Sequence, residues 1–432
     1  MHNYKKTHKL IAFILLLITL LALSGISNAE SSIPTVYTPA CILMEQDTGR
    51  ILYSKNANEI MYPASTTKVM TAILALENCN LADIVTVSHS AVFDVPVGYS
   101  NANLQEGEQV TVKDLLYVLL IPSANDAAFA LAEHISGTVE EFSNLMNQKA
   151  EEIGCKNTHF VNPNGIHNED HYSTAYDLAL MGQYAMKNDV FRQIVKQIKY
   201  TLPTTNKYDK TDRIFSTTND LLKEGSSTYY EYCTGAKTGY TDAASNCIIA
   251  TATKNDINLI AVILHDEKTE DGLNTRAIDC KTLFEYGFNE YSNQIIANSG
   301  NIKKNIKIVG ATLDTRSLDL ALSEDVYAYL PNNYDISSIE ENITLNEDIK
   351  APIIAGTKLG KITFTADGYS ITADLIATHD VMKQDIVKII IEIALIVVLL
   401  ILMAAFMKRR KKKSNHNKSY SFDFYPTYKR KH

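Results

Sequence analysis

The chain alternates between helix-like and strand-like hydrophobic patterns over its first two thirds. Apolar residues recur at helical spacing in VMTAILALE, directly after Lys68, and in the runs VKDLLYVLLIP and DAAFALAEHISG. Aliphatic, strand-like runs occur at 40–54, 247–252 and 257–266, and the helical pattern returns at 276–288. Strands and helices mixed in this way predict an α+β domain over residues 35–290, with helices flanking an antiparallel sheet.

The pattern changes after this domain. From 292 to 380 short alternating strands are separated by Gly, Asn and Asp turns, which predicts a small, separate all-β domain. Residues 386–407 are apolar over about the length of a membrane span, so they predict a transmembrane helix. Because KRRKKK follows this span, the basic tail at 408–432 is predicted to be cytoplasmic. The α+β domain would then lie on the extracytoplasmic side.

Residues 1–29 have the three parts of a secretory signal peptide. Basic residues at the start precede an apolar stretch, and Ser27-Asn28-Ala29 places small residues before a cleavage site. An uncleaved anchor is the alternative, but the apolar run is short for a span. The pattern predicts export of the mature protein.

Turn and capping residues predict further structural elements within the first domain. Asp47-Thr48-Gly49 predicts a hairpin turn that supplies edge strands to the sheet, and the segment at 83–110 has a mixed strand and loop pattern. Thr174 to Asp177 fits a capping box at the start of a helix. Two strands are predicted between 229 and 254, joined by a turn over 239–244.

Charge and cysteine content narrow the functional classes. The net charge is −8, and because the last twenty-five residues are basic, the remaining chain is more acidic still. This distribution offers no basic footprint for nucleic acid. The six cysteines include no CxxC pair, so bridges and buried free thiols both remain open for an exported protein. They are Cys41, Cys79, Cys155, Cys233, Cys247 and Cys280.

The candidate chemistry begins at Pro63-Ala64-Ser65-Thr66-Thr67-Lys68. Pro63 suits a first helical turn, which places Ser65 near the positive end of the helix dipole. Lys68 lies three residues later on the same face, so its amine can reach the Ser65 hydroxyl. A desolvated lysine can serve as the base that makes a serine nucleophilic. Alone, however, Ser-x-x-Lys is common in helices.

Two further motifs give the first one its specificity. Ser123-Ala124-Asn125 lies between two predicted helices, and Lys237-Thr238-Gly239 precedes a strand-like run. This order of motifs is typical of penicillin-binding proteins and class A β-lactamases. With the longer stretches PASTTKVMTA, NPNGIHNEDHYSTAYDLALM and GAKTGYTDAA, the sequence resembles the low-molecular-mass penicillin-binding proteins, which are serine-type D-Ala-D-Ala carboxypeptidases of the S11 type. The resemblance covers roughly residues 35–380.

The resemblance implies a penicillin-binding/β-lactamase-like catalytic domain and a reaction without metal or organic cofactor. The expected partners are the peptidoglycan stem peptide, β-lactam antibiotics as covalent inhibitors, and the membrane. The residue roles that it implies are Ser65 as acyl-ester nucleophile, Lys68 as general base, Ser123 as proton relay, Asn125 as holder of the substrate amide, Lys237 and Thr238 as carboxylate binders, Gly239 and Tyr240 as substrate-binding positions with the Tyr240 N–H as an oxyanion donor, and Arg276 as added positive charge.

Several alternatives remain at this stage. A wall endopeptidase or transpeptidase shares the acylation step and differs only in the acceptor. A class A β-lactamase needs a glutamate for deacylation, yet the surroundings of Glu169 differ from that loop, and Ala124 replaces the aspartate of Ser-Asp-Asn. A non-catalytic wall-binding or β-lactam-sensing module is opposed by the intact motifs. The histidines of NPNGIHNEDH lack His-Glu-x-x-His spacing, which favours an ordered loop over a zinc site.

Overall fold

The chain forms two compact units. The computed structural model describes residues 33–267 and 275–416, with side chains of the last helix described through residue 411. The first unit comprises the described residues through Ser292 together with Tyr329–Tyr334, and the second comprises Asn293–Ala328 and the described residues from Asp335 onward. The predicted signal peptide and the tail from residue 417 lie outside the described residues.

The first unit is built on a five-stranded antiparallel sheet with helices on both faces. Its strands are β1 (Ala40–Glu45), β2 (Ile51–Lys55), β3 (Ile84–Thr86), β4 (Gln109–Thr111), β5 (Lys199–Thr201), β6 (Ile214–Ser216), β7 (Cys233–Thr241), β8 (Ser245–Lys254) and β9 (Ile257–Asp266). Its helices are α1 (Lys68–Asn78), α2 (His89–Phe93), α3 (Val112–Leu120), α4 (Asn125–Ser136), α5 (Val139–Ile153), α6 (Ala175–Ala185), α7 (Asp189–Val195) and α8 (Thr275–Glu290). The main sheet has the order β2-β1-β9-β8-β7, and the pairs β3-β4 and β5-β6 stand apart from it.

The central strands β1, β9 and β8 are mostly apolar because both faces of the sheet are covered, although they include the buried polar residues Glu45 and Thr251. In β1, Ile42 and Met44 pack into a core that includes side chains of α1, α3, α4 and α6. Cys41 and Leu43 point to the opposite face and pack into a second core with Phe284 of α8. Successive strand residues face opposite sides, so a strand between two helical layers buries both sets of its side chains and is mostly apolar.

The structure confirms the predicted hairpin and corrects several boundaries. Gly49 adopts φ +76° in the turn of this hairpin. Of the two hairpin strands, only β2 lies at an edge of the sheet, because β1 also pairs with β9. The segment at 83–110 contains the unpredicted helix α2, whose first turn is capped by Ser88. Strand β7 runs through Thr241, so its connection to β8 is shorter than predicted. The prediction was therefore wrong for residues 239–241, which were assigned to the turn but belong to strand β7.

Only half of the predicted capping box is formed. Thr174 Oγ1 accepts a hydrogen bond from the backbone N–H of Asp177, as expected for an N-cap. The Asp177 carboxylate instead accepts from the backbone N–H of Asn157 at 2.7 Å and from the Thr158 hydroxyl at 2.8 Å. The Asp177 side chain therefore makes tertiary hydrogen bonds instead of bonding back to the N-cap residue Thr174.

The second unit is an all-β domain. Strands β10 (Tyr291–Ala297) and β13 (Val326–Pro331) contain the boundary between the units, and the domain sheet has the order β11-β12-β16-β15-β14. Its strands are β11 (Ile302–Lys307), β12 (Ser317–Leu322), β14 (Glu340–Leu345), β15 (Lys358–Ala366) and β16 (Tyr369–Ala377). One face of the sheet packs on a core containing Leu320, Ile362 and Leu375. The prediction of an α+β domain followed by an all-β domain is confirmed.

The last described element is the apolar helix α9 (Ile386–His416). Residues Ile386–Lys411 are long and apolar enough to cross a membrane, with a mean hydropathy of 3.2 in the most apolar window and none of that window buried in the protein. Such a surface is stable only in an apolar environment. The helix is therefore a candidate membrane anchor.

Candidate active site

Ser65 lies in a tight turn rather than in the first turn of an α-helix. Ala64–Thr67 forms a 3-10 helix, and α1 begins at Lys68. Residues three apart lie above one another in a 3-10 helix, so Ser65 and Lys68 still share a face. Ala64 has φ +47°, a left-handed conformation that costs a non-glycine residue about 1–3 kcal/mol. The fold holds this strain immediately before the predicted nucleophile.

Lys68 is completely buried beneath Ser65 and contacts three oxygen atoms. Its Nζ lies 2.8 Å from Ser65 Oγ, 2.8 Å from Asn125 Oδ1 and 2.7 Å from the carbonyl oxygen of Asn164. An ammonium group can donate one hydrogen bond to each of these oxygens. A neutral amine can keep the bonds to Asn125 and Asn164 and turn its lone pair toward Ser65 Oγ. The geometry is therefore that of a base aimed at one hydroxyl.

The surroundings of Lys68 favour its neutral form. Burial lowers the pKa of Lys68 well below its usual value of 10.5, and the positive charge of Lys237 lowers it further, while Asp126 acts in the opposite direction. The acceptors within hydrogen-bond distance of Nζ are an amide, a hydroxyl and a backbone carbonyl. Neutral acceptors stabilise an ammonium less than a carboxylate does.

Ser123 and Asn125 lie at the junction of α3 and α4. Ser123 has φ +69°, and its buried Oγ has no hydrogen-bond partner within the described residues. Asn125 is 3% exposed, and it uses both ends of its amide, since Nδ2 also donates to the carbonyl oxygen of Ser100 at 2.8 Å. The junction thus offers one unpaired hydroxyl beside a fixed amide.

Strand β7 carries the third motif along the other side of Ser65. Lys237 is 1% exposed and donates to the carbonyl oxygen of Thr238 at 2.8 Å. Burial and the neighbouring charge of Arg276 lower the pKa of Lys237 to about 7. Thr238 Oγ1 is hydrogen-bonded to the hydroxyl of Thr218. The hydroxyl of Thr238 therefore faces the cleft, whereas the amine of Lys237 lies below its surface.

Glycines let the strand and a loop approach the Ser65 turn closely. A Cβ added at Gly239 would lie 2.9 Å from the backbone nitrogen of Ser65, closer than a Cβ contact allows. A Cβ added at Gly165 would lie 1.8 Å from the carbonyl oxygen of Ala64, and Gly165 also has φ +79°. Only glycine fits at Gly165, for steric and conformational reasons alike.

A cleft of about 480 Å³ opens above these residues. Six of the predicted site residues line it, whereas Lys68, Asn125 and Lys237 lie beneath its surface. The lining residues are Ser65, Val97, Gly98, Tyr99, Ser100, Ser123, Thr218, Thr238, Gly239, Tyr240, Thr241, Asp242, Asn246 and Arg276. Arg276 Nη1 donates to the carbonyl oxygens of Gly239 and Cys247 at 3.4 and 3.3 Å. The fold therefore gathers all three motifs at one cleft.

Comparison with known families shows to which protein family the chain that forms this cleft belongs. The model of the D-alanyl-D-alanine carboxypeptidase family matches residues 27–268, and that of the penicillin-binding protein 5 C-terminal domain matches residues 291–383. The chain belongs to the D-alanyl-D-alanine carboxypeptidase family. The resemblance that the three motifs carry is thereby confirmed.

Individual members of the family are similar to the chain over most of its length. The D-alanyl-D-alanine carboxypeptidase DacF of Bacillus subtilis is 32% identical over 352 residues, which are 80% of this chain and 86% of that protein. The crystal structure of penicillin binding protein 5 from Haemophilus influenzae matches with a TM-score of 0.64 at 28% identity, covering 82% of this chain and 99% of that one. The Streptomyces K15 DD-transpeptidase structure matches with a TM-score of 0.55 at 34% identity, covering 60% of this chain and 99% of that one.

Some of the groups that form the site around Ser65 could not be predicted from the sequence. Asn164 contributes a backbone carbonyl to Lys68, and any residue type has such a carbonyl. The resemblance to the family places an active-site rim in the segment at 83–110, and Val97–Ser100 of that segment lines the cleft, although its residue pattern indicated no particular chemistry. Asp126, beside the second motif, accepts hydrogen bonds from the backbone N–H groups of Ala102 and Leu104 and so holds this rim. These contributions arise from packing.

The histidine-containing loop supports the Ser65 turn. His171 is 2% exposed, and its ring nitrogens contact Thr67 Oγ1 at 2.8 Å and the backbone N–H of Val161 at 3.2 Å. Burial lowers the pKa of His171 to about 3, so the imidazole is neutral at physiological pH. Within residues 33–267 and 275–416, no group of three His, Cys, Asp or Glu side chains is placed to hold a metal ion. All six cysteines are free thiols.

Proposed function

We propose that the protein is a serine-type D-Ala-D-Ala carboxypeptidase that removes the terminal D-alanine of peptidoglycan stem pentapeptides through an acyl-enzyme on Ser65. The observation that carries the proposal is the 2.8 Å contact between Ser65 Oγ and the buried amine of Lys68. A serine hydroxyl becomes a nucleophile when an adjacent base accepts its proton. Burial and the charge of Lys237 lower the pKa of Lys68, which favours the neutral amine that such a base requires.

In the acylation step, the residues around Ser65 act one after another. Ser65 Oγ attacks the carbonyl carbon of the penultimate D-alanine while Lys68 takes the hydroxyl proton. The backbone N–H groups of Ser65 and Tyr240 stabilise the tetrahedral oxyanion. The C–N bond then breaks, and the leaving amine receives a proton by way of Ser123, whose hydroxyl is free to relay it. The product is D-alanine and an ester on Ser65.

The substrate carboxylate is attracted by the positive end of the cleft. The Thr238 hydroxyl and the Arg276 guanidinium line the cleft and can bind an anion directly. Lys237 adds positive charge from below. For Asn125 to hold the substrate amide, its side chain must exchange one of its two internal hydrogen bonds. We therefore assign Asn125 first to the positioning of Lys68.

Water completes the cycle by attacking the ester carbonyl, which releases the shortened peptide and restores the Ser65 hydroxyl. A β-lactam ring presents a carbonyl and a carboxylate in the same arrangement, so it would also acylate Ser65. We expect β-lactams to act as covalent inhibitors, because the leaving amine of the ring stays attached to the acyl group.

The apolar helix α9 suggests where the enzyme works. We assign residues 386–407 to the bilayer, with both folded units on the extracytoplasmic side and the basic residues from 408 onward in the cytoplasm. The wall substrate lies on that same side. The predicted signal peptide at 1–29 would direct this orientation.

Transfer to a second peptide is the alternative with specific support, because the Streptomyces K15 structure is that of a DD-transpeptidase. The acyl-enzyme is common to both reactions, and the acceptor separates them. A β-lactamase is less well supported, since Glu169 is exposed and is absent from the residues that line the cleft. A sensing module has no need of a buried lysine aimed at Ser65.

The test is D-alanine release by the full chain in detergent from a peptide ending in D-Ala-D-Ala. We expect release by the wild type and by Ser227→Ala, which removes an exposed hydroxyl outside the cleft. Ser65→Ala should lower release by more than a thousandfold, because the nucleophile is lost.

A fluorescent penicillin gives the matching control for the site. It should label the wild type and Ser227→Ala but not Ser65→Ala. If the wild type is labelled yet releases no D-alanine even when an amine acceptor is supplied, the carboxypeptidase and transpeptidase assignments both fail. Exchange of the terminal D-alanine for the acceptor, in place of hydrolysis, would identify the transpeptidase.

A further inference from the structure

One end of the all-β domain carries a cluster of exposed apolar side chains. Three chain segments meet there, at 309–313, 350–354 and 381–384. They are joined by backbone bridges between Val309 and Lys350, between Ala311 and Lys383, and between Ile353 and Val381. The exposed members of this cluster, which we call the apolar end, are Val309, Leu313, Ile354 and Met382.

The apolar end is exposed far more than the core beside it. Val309 is 68% exposed, Leu313 77%, Ile354 73% and Met382 61%. Their chain neighbours Ile308, Ile353 and Val381 are buried in the domain core. A single exposed aliphatic side chain is ordinary, but four on hydrogen-bonded neighbouring segments form a patch of the kind that marks a contact with another apolar phase.

The chain joins the apolar end directly to the candidate membrane helix. Met382 donates its backbone N–H to Thr315 Oγ1 at 3.0 Å, and Gln384 donates to the carbonyl oxygen of Gly310 at 2.7 Å. Helix α9 begins at Ile386, two residues later. Two trans peptide units span at most about 7.6 Å, so Gln384, which is hydrogen-bonded to the segment that carries Val309 and Leu313, lies within that distance of the start of the helix.

This short connection places the apolar end at the surface of any bilayer that α9 crosses. Lys388 and Glu392 lie in the first two turns of the helix, at the depth of the lipid headgroups, and the uninterrupted apolar run begins at Ile393. Because Gln384 is hydrogen-bonded to the all-β domain, this end of the domain cannot move far from the depth at which α9 begins. Exposed apolar groups at that depth are stabilised by the headgroup and upper acyl region of a bilayer.

We propose that the apolar end is a membrane-docking surface, whose four side chains insert into the outer edge of the lipid bilayer that α9 crosses. The proposal rests on the membrane assignment of α9 and is independent of the chemistry at Ser65. Lysines 350 and 383 are balanced by Asp348 and Asp385 nearby in the chain. Apolar contact, rather than attraction to anionic lipid, therefore supplies the docking.

The chain contains no tryptophan, so a single introduced tryptophan reports from one site. Leu313→Trp is placed in the full chain and reconstituted into phosphatidylcholine vesicles whose acyl chains are brominated near the headgroup. Bromine quenches tryptophan only at contact distance. We expect at least a twofold loss of emission relative to unbrominated vesicles, with a blue shift, and the same loss when anionic lipid is added.

The matched control is Ile302→Trp. Ile302 is 61% exposed and lies at the opposite end of β11 from the strand end that leads to Val309, about 23 Å away along the strand. Its emission should be unaffected by bromine. Leu399→Trp, within α9, reports whether the helix lies in the bilayer and should be quenched by lipid brominated deep in the acyl chains.

The outcomes separate the proposal from the assignments on which it stands. Quenching at Leu399→Trp with no difference between Leu313→Trp and Ile302→Trp would overturn the docking surface and keep the anchor. A blue shift at Leu313→Trp without quenching would overturn it in favour of a protein partner or a second copy of the chain. If Leu399→Trp is not quenched, anchor and docking surface both fall, while D-alanine release is unaffected.

Discussion

At the scale of single residues, the site depends on two buried lysines that need opposite protonation states. Lys68 must be neutral to accept the Ser65 proton, and its pKa is lowered by burial and by Lys237. Lys237 must be charged to attract a carboxylate, yet burial and Arg276 lower its pKa to about 7. In the proposed mechanism a rise in pH therefore has two opposite effects, because it favours the neutral form of Lys68 and removes the charge of Lys237.

The pH dependence of kcat/KM tests this arrangement. For a peptide ending in D-Ala-D-Ala, kcat/KM should fall above about pH 7, by up to tenfold for each pH unit, because Lys237 loses its proton and the cleft its positive charge. In Lys237→Arg the charge persists, so the fall should move to higher pH. Steady-state kinetics between pH 5 and 10 gives both profiles.

A substrate without a terminal carboxylate is the control for this experiment. Its kcat/KM should lack the decline near pH 7, since it does not use the charge of Lys237. An identical decline in the wild type and in Lys237→Arg would show that another group titrates there.

At the scale of elements, three pieces of chain distant in sequence meet at Ser65. The 3-10 turn at Ala64–Thr67 lies between strand β7 and the loop that contains Asn164. Gly239 and Gly165 remove the side chains that would keep these pieces apart. The loop then brings a carbonyl oxygen to Lys68, and His171 fastens the same loop to Thr67.

Gly165→Ala should disrupt this junction. The added Cβ would lie 1.8 Å from the carbonyl oxygen of Ala64, so the loop or the Ser65 turn must move. We expect a loss of several kcal/mol in the free energy of unfolding and at least a tenfold slower acylation by a fluorescent penicillin. Denaturant unfolding and labelling kinetics measure the two effects.

Gly137→Ala is the matched control for the backbone conformation. Gly137 has φ +80°, nearly the φ +79° of Gly165, but an added Cβ there meets nothing within 4 Å. Its cost should be only that of an alanine held at positive φ, about 1–3 kcal/mol, with normal acylation. Equal effects of the two substitutions would mean that the close approach to Ala64 has no consequence for the site.

Much of this site could be predicted from the sequence, because its motifs are local. Ser65 and Lys68 share a face in either kind of helix, and Lys237 and Thr238 lie on a strand as predicted, whereas Gly239 and Tyr240 continue this strand although a turn was predicted there. The loop carbonyl of Asn164 was missed because it has no side-chain signature. The 3-10 turn was missed because propensities and periodicity do not distinguish it from an α-helical start.

At the scale of the whole molecule, chemistry and attachment are divided along the chain. Every residue lining the catalytic cleft lies between Ser65 and Arg276, within the first unit. The second unit contributes a β-sheet core, the apolar end and helix α9. This division predicts that attachment can be removed without loss of chemistry.

A chain that ends at Asp385 tests the division. Its kcat/KM for a soluble peptide should stay within about twofold of that of the full chain, because every cleft residue is present. After sedimentation with vesicles, most of it should stay in the supernatant, since a few interfacial side chains give only weak, reversible binding. A large fall in kcat/KM would show that the removed segment supports the cleft.

The sequence by itself determined the features that depend on neighbouring residues. Periodicity, turn residues and motif order indicated most of the helices and strands, the proximity of Ser65 to Lys68, and the length of the apolar helix. Such features follow from the covalent chain and from the geometry of one helix or strand.

The tertiary structure alone decided the features that depend on distant residues. The contact between Lys68 and Asn164 joins positions 96 residues apart, and the apolar end joins three separate segments. Burial of Lys68 and Lys237, and therefore their lowered pKa values, also exists only after packing. A sequence pattern indicates which face of an element is apolar, whereas the dielectric surroundings of a charge depend on everything that packs around it.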